Sequence, residues 1–258
     1  METFATIEAE TIGQGAPVWL FHSLLADAGS CLPLAHALAH SINGRHRVVV
    51  AHLPGFGGSP AAGPGLEPVA DRMADAIRAA GSPVAVIGNG YGSFVALMVA
   101  LRHPECVSRL VLAGTGAVFD EPGRAAFRGM GAAAGLKGLG AIADTAMRRL
   151  FSPSFQAANL DLLAERRARF LATDPAVFTT ACDALIALDI RDAATGLRVP
   201  TLVMAGEGDE ATPPRMAREL AALIPGARYV ELAGLAHVPQ LQDTAAFVTA
   251  IGTFLDPA

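Results

Sequence analysis

Val84-Ala-Val-Ile-Gly88-Asn-Gly90-Tyr-Gly92-Ser-Phe-Val-Ala-Leu-Met98 is the stretch that decides the fold. Its first four residues are apolar and partly β-branched, as a buried strand requires. Glycines at 88, 90 and 92 follow, and then an apolar run long enough for a helix. Such glycines let the backbone turn sharply and approach its neighbours closely. The spacing Gly88-x-Gly90-x-x-Ser93 comes near the dinucleotide fingerprint, which also needs an acid about 20 residues on to hold a ribose. Ser108 to Thr115 contains neither Asp nor Glu, and the unit lies mid-chain rather than opening the fold. That reading is set aside, and no nicotinamide, flavin or other cofactor is expected.

Outward from this unit, apolar runs alternate with helical patterns. Candidate strands are Val18–Phe21, Arg47–Ala51, Val84–Gly88, Val107–Ala113, Thr201–Ala205 and Ala227–Leu232. Candidate helices include Cys31–His40, Val69–Ala80, Gly92–Arg102, Pro213–Leu223 and Thr244–Phe254. Near-continuous apolar strands alternating with helices predict an α/β fold, a mostly parallel sheet with helices on both faces. Residues 117–194 break the rhythm: they are rich in Ala, Arg and Gly and hold no convincing strand. They read as a helical cap over the carboxyl edge of the sheet, where ligands bind. Residues 1–116 and 195–258 then form the core, and Gly129–Gly140 reads as a flexible hinge of the cap.

Composition narrows the function. A net charge of −5 argues against a nucleic-acid partner, which needs a basic footprint. No apolar run reaches the ~20 residues of a membrane span. The acidic N-terminus lacks a signal pattern, and Cys31, Cys106 and Cys182 are scattered, so a reduced, cytoplasmic protein is expected. His36 and His40 share a helix face without the Glu of H-E-x-x-H, so no metal site is read there. His52 reads as structural. The expected partner is a small molecule, and the oligomeric state is not legible.

Three segments carry candidate chemistry. Phe21-His22-Ser23-Leu24-Leu25 follows a strand and reads as a loop at its carboxyl end. Met204-Ala-Gly206-Glu-Gly-Asp209 puts carboxylates in a loop after a late strand. Position in the loop leaves Asp209, Glu207 and Glu210 open. Gly234-Leu-Ala-His237-Val-Pro places a histidine just before the last helix. A histidine oriented by an acid is a general base, and the chain order turn, acid, histidine suits that use.

Together these segments resemble the α/β-hydrolase superfamily across nearly the whole chain. The C-terminal half further resembles the 3-oxoadipate enol-lactonase group in Leu150-Phe-Ser-Pro-Ser-Phe155, Phe170-Leu-Ala-Thr-Asp-Pro175, Asp189-Ile-Arg191-Asp192, Val199-Pro-Thr-Leu-Val, Ala211-Thr-Pro-Pro214 and Ile224–Leu232. The resemblance implies the α/β-hydrolase fold and a Ser–Asp–His triad that hydrolyses a small carboxylated lactone. It places Gly90 at the nucleophile position of G-x-S-x-G, with Asp209 and His237 as acid and base and Leu24 and Tyr91 at the oxyanion. His22, Ser23 and Phe151 are implied to border the substrate. The chain departs from the pattern at Gly90, Ser23, His52 and Leu150.

Glycine at 90, whether natural or introduced, closes the usual acyl-enzyme route. The expected function is hydrolysis of a small ester, lactone or related carbonyl compound, with His237 acting on water or a carbon acid. The alternatives are a non-catalytic binding protein or a lyase, isomerase or cyclase on the same fold. Ser93 is expected to point away from the pocket, and Ser23 to lie off the approach to His237. The missing hydroxymethyl is expected to leave room for about one water molecule, and with the rest of the site intact Gly90→Ser is expected to create or restore esterase activity.

Overall fold

The computed structural model describes residues 1–40 and 46–255. Residues 256–258, assigned above to the core segment 195–258, lie outside the described residues, as do 41–45. Eight strands form one sheet: β1 (Glu2–Phe4), β2 (Ile7–Gly13), β3 (Ala16–Phe21), β4 (His46–Ala51), β5 (Val84–Asn89), β6 (Val107–Ala113), β7 (Thr201–Gly206) and β8 (Arg228–Leu232). Their spatial order is β1-β2-β4-β3-β5-β6-β7-β8. The first two strands pair antiparallel, and β3 to β8 run parallel. The sequence reading missed β1 and β2, because their polar, half-exposed residues lack the apolar runs of the central strands.

Helices α1 (Leu32–Ala39), α2 (Glu67–Ala80) and α3 (Tyr91–Arg102) connect the first parallel strands. Side chains of β3 alternate between two cores, as a strand buried on both faces must. Trp19 and Phe21 face α2 and α3, whereas Val18 and Leu20 face α1 and the C-terminal helix. Between β6 and β7 the chain is helical: α4 (Glu121–Lys137), α5 (Ala143–Leu150), α6 (Pro153–Ala158), α7 (Leu160–Leu171), α8 (Pro175–Ala187) and α9 (Arg191–Ala194). The core then closes with α10 (Pro214–Leu223), α11 (Pro239–Gln242) and α12 (Thr244–Leu255). No single helix among the described residues is long and apolar enough to cross a membrane.

The expected hinge at Gly129–Gly140 is corrected by the structure. Helix α4 runs through Gly129, Gly131 and Gly135 to Lys137. Helix α4 packs along α8, where a Cβ on Gly131 would make ordinary contact, 3.5 Å from the Cβ of Cys182. Tertiary packing of α4 overrides the low helix propensity of its glycines.

Register delivers the functional loops to one edge. Phe21 pairs with Gly88, Gly88 with Leu112, and Ala113 with Met204. The segments that follow β3, β5, β6 and β7 therefore emerge side by side at the carboxyl edge.

Candidate active site

The turn after β5 is built from glycine for steric reasons. A Cβ on Gly88 would meet the Gly92 carbonyl oxygen at 2.4 Å, and one on Gly92 would meet the Phe21 carbonyl oxygen at 2.3 Å. Gly90 caps the N-terminus of α3 at φ 54°, ψ −124°, a left-handed φ that disfavours side chains. Its amide donates to the Ala113 carbonyl (2.9 Å), which pins the turn to β6. Ser93 turns back onto this backbone, its Oγ donating to the carbonyl of Gly90 at 2.6 Å. That hydroxyl is committed to the turn.

Asp209 lies in the loop after β7 and is buried. Its Oδ1 accepts from the amides of Ala211 (2.8 Å) and Thr212 (2.9 Å). Its Oδ2 accepts from the Thr212 hydroxyl (2.8 Å) and from Nδ1 of His237 (2.9 Å). Glu207 is otherwise engaged, accepting from the Gly234 amide at 2.9 Å. With Nδ1 donating to Asp209, Nε2 of His237 carries the lone pair. The histidine loop is itself tied down. The His237 carbonyl accepts from Asn89 Nδ2 (2.7 Å), Asn89 Oδ1 accepts from Gln240 (3.1 Å), and the Val238 amide donates to the Leu150 carbonyl (3.2 Å). Gly114 lies under the ring: a Cβ there would be 3.0 Å from Cε1. Asn89, Gln240 and Thr212 were missed at the sequence level. The available hint was Asn89, a polar residue ending an otherwise apolar strand.

Nε2 faces a cavity of about 290 Å³ between the sheet edge and α4, α5 and α8. Its walls are largely apolar and include Phe94, Phe119, Phe127, Met130, Leu185 and Met216. Leu24, Gly90, Tyr91 and Ser23 border it beside His237, and Arg149 and Glu210 stand at its polar margin. The amides of Leu24 and Tyr91 donate to no acceptor among the described residues. Tyr91 is the first residue of α3, so its N–H lies at the positive end of the helix.

Two readings from the sequence need correction. Ser23 is not off the histidine's approach: its Oγ lies 3.4 Å from Nε2 of His237. Nor is the space above Gly90 left to a water. A Cβ on residue 90 would fall 2.5 Å from Ser23 Oγ and 2.7 Å from His237 Nε2. The absence of a side chain at 90 has let both groups close in. His22 and Phe151 do not border the cavity. Phe151 is buried and stacks on Phe155 with centroids 5.1 Å apart. His52 packs against Gly57, outside the cavity. His36 stacks on His40 at an exposed helix end. Among the described residues no group of three His, Cys, Asp or Glu is arranged to hold a metal.

His22 instead holds the loop that carries Ser23. Its Nδ1 donates to the Ser23 carbonyl (3.0 Å), and its Nε2 accepts from the Leu53 amide (3.3 Å). Accepting from Leu53 requires a neutral ring, and burial lowers its pKa from 6.5 to about 4. The unfolded chain therefore binds more protons than the folded one between these values. Stability from this group is complete above pH 6.5 and is lost as pH falls toward 4. The difference is ~3 kcal/mol. Denaturant titrations at pH 7 and pH 4 should lose about that much less stability in His22→Gln than in the unmodified chain. Equal acid losses in both would assign the effect elsewhere.

The sequence matches the α/β-hydrolase fold family over residues 16–244. The protein is an α/β-hydrolase. This α/β-hydrolase is 33% identical over 216 residues to the pimeloyl-[acyl-carrier protein] methyl ester esterase of Aromatoleum aromaticum, covering 76% of this chain and 82% of that one. It is also 33% identical over 227 residues to polyketide synthase ThaQ of Burkholderia thailandensis, covering 85% of this chain but only 11% of that much longer protein. Among solved structures, the enol-lactonase from Burkholderia xenovorans superposes with a TM-score of 0.89 at 27% identity, covering 96% of each chain. A thermophilic esterase from Thermogutta terrifontis gives 0.87 at 26%, covering 96% of this chain and 92% of that one.

Proposed function

We propose that this α/β-hydrolase cleaves a small ester or lactone in the cavity beneath residues 117–194, which act as its cap. His237 is the general base, Asp209 orients it, and the amides of Leu24 and Tyr91 receive the developing oxyanion. The observation that carries the reading is the His237 ring, with Nδ1 on a buried carboxylate and Nε2 turned to an apolar cavity. A base of this kind contributes about 10²–10⁴-fold when its proton acceptor is free and positioned. The names of its relatives, an enol-lactonase and a methyl ester esterase, support an ester or lactone as substrate.

Arg149 extends the reading to an anionic substituent. It borders the cavity and makes no ion pair among the described residues. The test is a panel of neutral and carboxylated aryl esters and lactones. Turnover is expected to depend on His237, and Arg149→Ala should raise KM for carboxylated members by about 10-fold while sparing neutral ones. Binding without His237-dependent turnover would replace hydrolysis by the receptor or carbon-acid reading.

A further inference from the structure

We propose that Ser23 is the nucleophile of this site, displaced from the usual turn position to the loop after β3. The inference rests on the hydrolase reading above and names the group that His237 deprotonates. The ordered relay runs from Ser23 Oγ to His237 Nε2 (3.4 Å), and from His237 Nδ1 to Asp209 Oδ2 (2.9 Å). It is a Ser–His–Asp constellation, recognised by geometry and roles rather than by position in the chain. A 3.4 Å approach is long for such a contact, and catalytic hydrogen bonds tighten once substrate is bound.

Three further observations support it. Ser23 Oγ makes no other hydrogen bond among the described residues, so this buried hydroxyl is committed to the base. It stands 2.5 Å from the point where a Cβ on residue 90 would sit, so it enters the cavity beside the vacated position. Its backbone is held from two sides, the Ser23 carbonyl accepting from His22 Nδ1 (3.0 Å) and from the Ala26 amide (3.2 Å). His22 is thus a positioning residue for the nucleophile. Glycine at 90 is the condition for the arrangement, since any side chain there would separate Ser23 from His237.

The chemistry closes without a co-reactant other than water. Ser23 Oγ adds to the ester carbonyl carbon as its proton passes to Nε2 of His237. The carbonyl electron pair moves onto oxygen, between the amides of Leu24 and Tyr91. Collapse breaks the bond to the leaving alkoxide, which takes the proton from Nε2 and departs as the alcohol. Water then adds to the acyl-Ser23 ester, giving a proton to Nε2. A second collapse releases the acid and returns the proton to Ser23 Oγ.

An alkyl fluorophosphonate tests this on the unmodified protein. Attack on phosphorus expels fluoride and leaves a stable phosphonyl ester. Intact mass should show one adduct, and fragmentation of the tryptic peptide 1–45 should place it on Ser23 rather than on Ser30 or Ser41. Ser23→Ala and His237→Ala should each abolish the adduct and lower aryl-ester turnover by ~10³-fold. No adduct, or an adduct elsewhere, overturns the proposal, and this readout stands even if Ser23→Ala fails to fold. Turnover that survives Ser23→Ala but not His237→Ala also overturns it, and leaves hydrolysis by directly activated water in place. Turnover independent of His237 would overturn its assignment as the base, and no turnover of any ester or lactone would overturn the hydrolase reading itself.

Discussion

Asp209→Asn should lower ester hydrolysis by about 10³–10⁴-fold while leaving the fold intact. The carboxylate receives four hydrogen bonds, two from backbone amides on Oδ1 and two from Thr212 and His237 on Oδ2. An amide has only one acceptor oxygen. The fixed N–H groups of Ala211 and Thr212 will claim that oxygen, because they cannot rotate away. The amide nitrogen then faces His237 Nδ1 as a donor. The ring must switch to the tautomer with its proton on Nε2, where it can no longer accept one. Thr212 absorbs the change locally, since its hydroxyl can rotate to accept. The measurement is kcat/KM beside a thermal melt. A loss under 10-fold with a normal melt would mean that His237 works without its acid.

Gly90→Ser combined with Ser23→Gly should raise aryl-ester hydrolysis by about 10²-fold over the unmodified chain, and Gly90→Ser alone should do much less. The single change adds a Cβ that meets Ser23 Oγ at 2.5 Å and Ser23 Cβ at 2.9 Å. It also places a side chain at a φ of 54°, at a strain of ~1–2 kcal/mol. Removing the Ser23 side chain clears two of the three close contacts. The third, His237 Nε2 at 2.7 Å, requires the ring to retreat by a few tenths of an ångström within its bond to Asp209. The gain comes from attack at the start of α3, where the Tyr91 amide and the helix terminus act on the oxyanion. A double variant no faster than Ser23→Gly would show that the ring cannot retreat.

Local chain patterns are read well from sequence when the constraint is local. The apolar run Val84–Ile87 and the glycines at 88 and 92 announce a sharp strand-to-helix turn, and the steric clash a Cβ would make at each is a property of that turn. The parallel strands were legible because burial on both faces demands continuous apolar residues. Antiparallel β1 and β2 escaped for the opposite reason: strands that are only partly buried tolerate Glu and Thr. The glycines of α4 misled because propensity is local, whereas the packing of α4 on α8 is not.

The sequence by itself determined an α/β fold with a mostly parallel sheet, which follows from strand periodicity, and its resemblance to the α/β-hydrolases gave the order of turn, acid and histidine loops. Only the tertiary structure decided which hydroxyl meets His237. Ser23 and His237 are 214 residues apart. Their approach depends on the register that sets β3 beside β5, on the loop pinned by His22, and on the space left by a missing side chain at Gly90. A vacancy has no pattern in a sequence, because what fills it is chosen by packing among neighbours that the chain brings together only on folding.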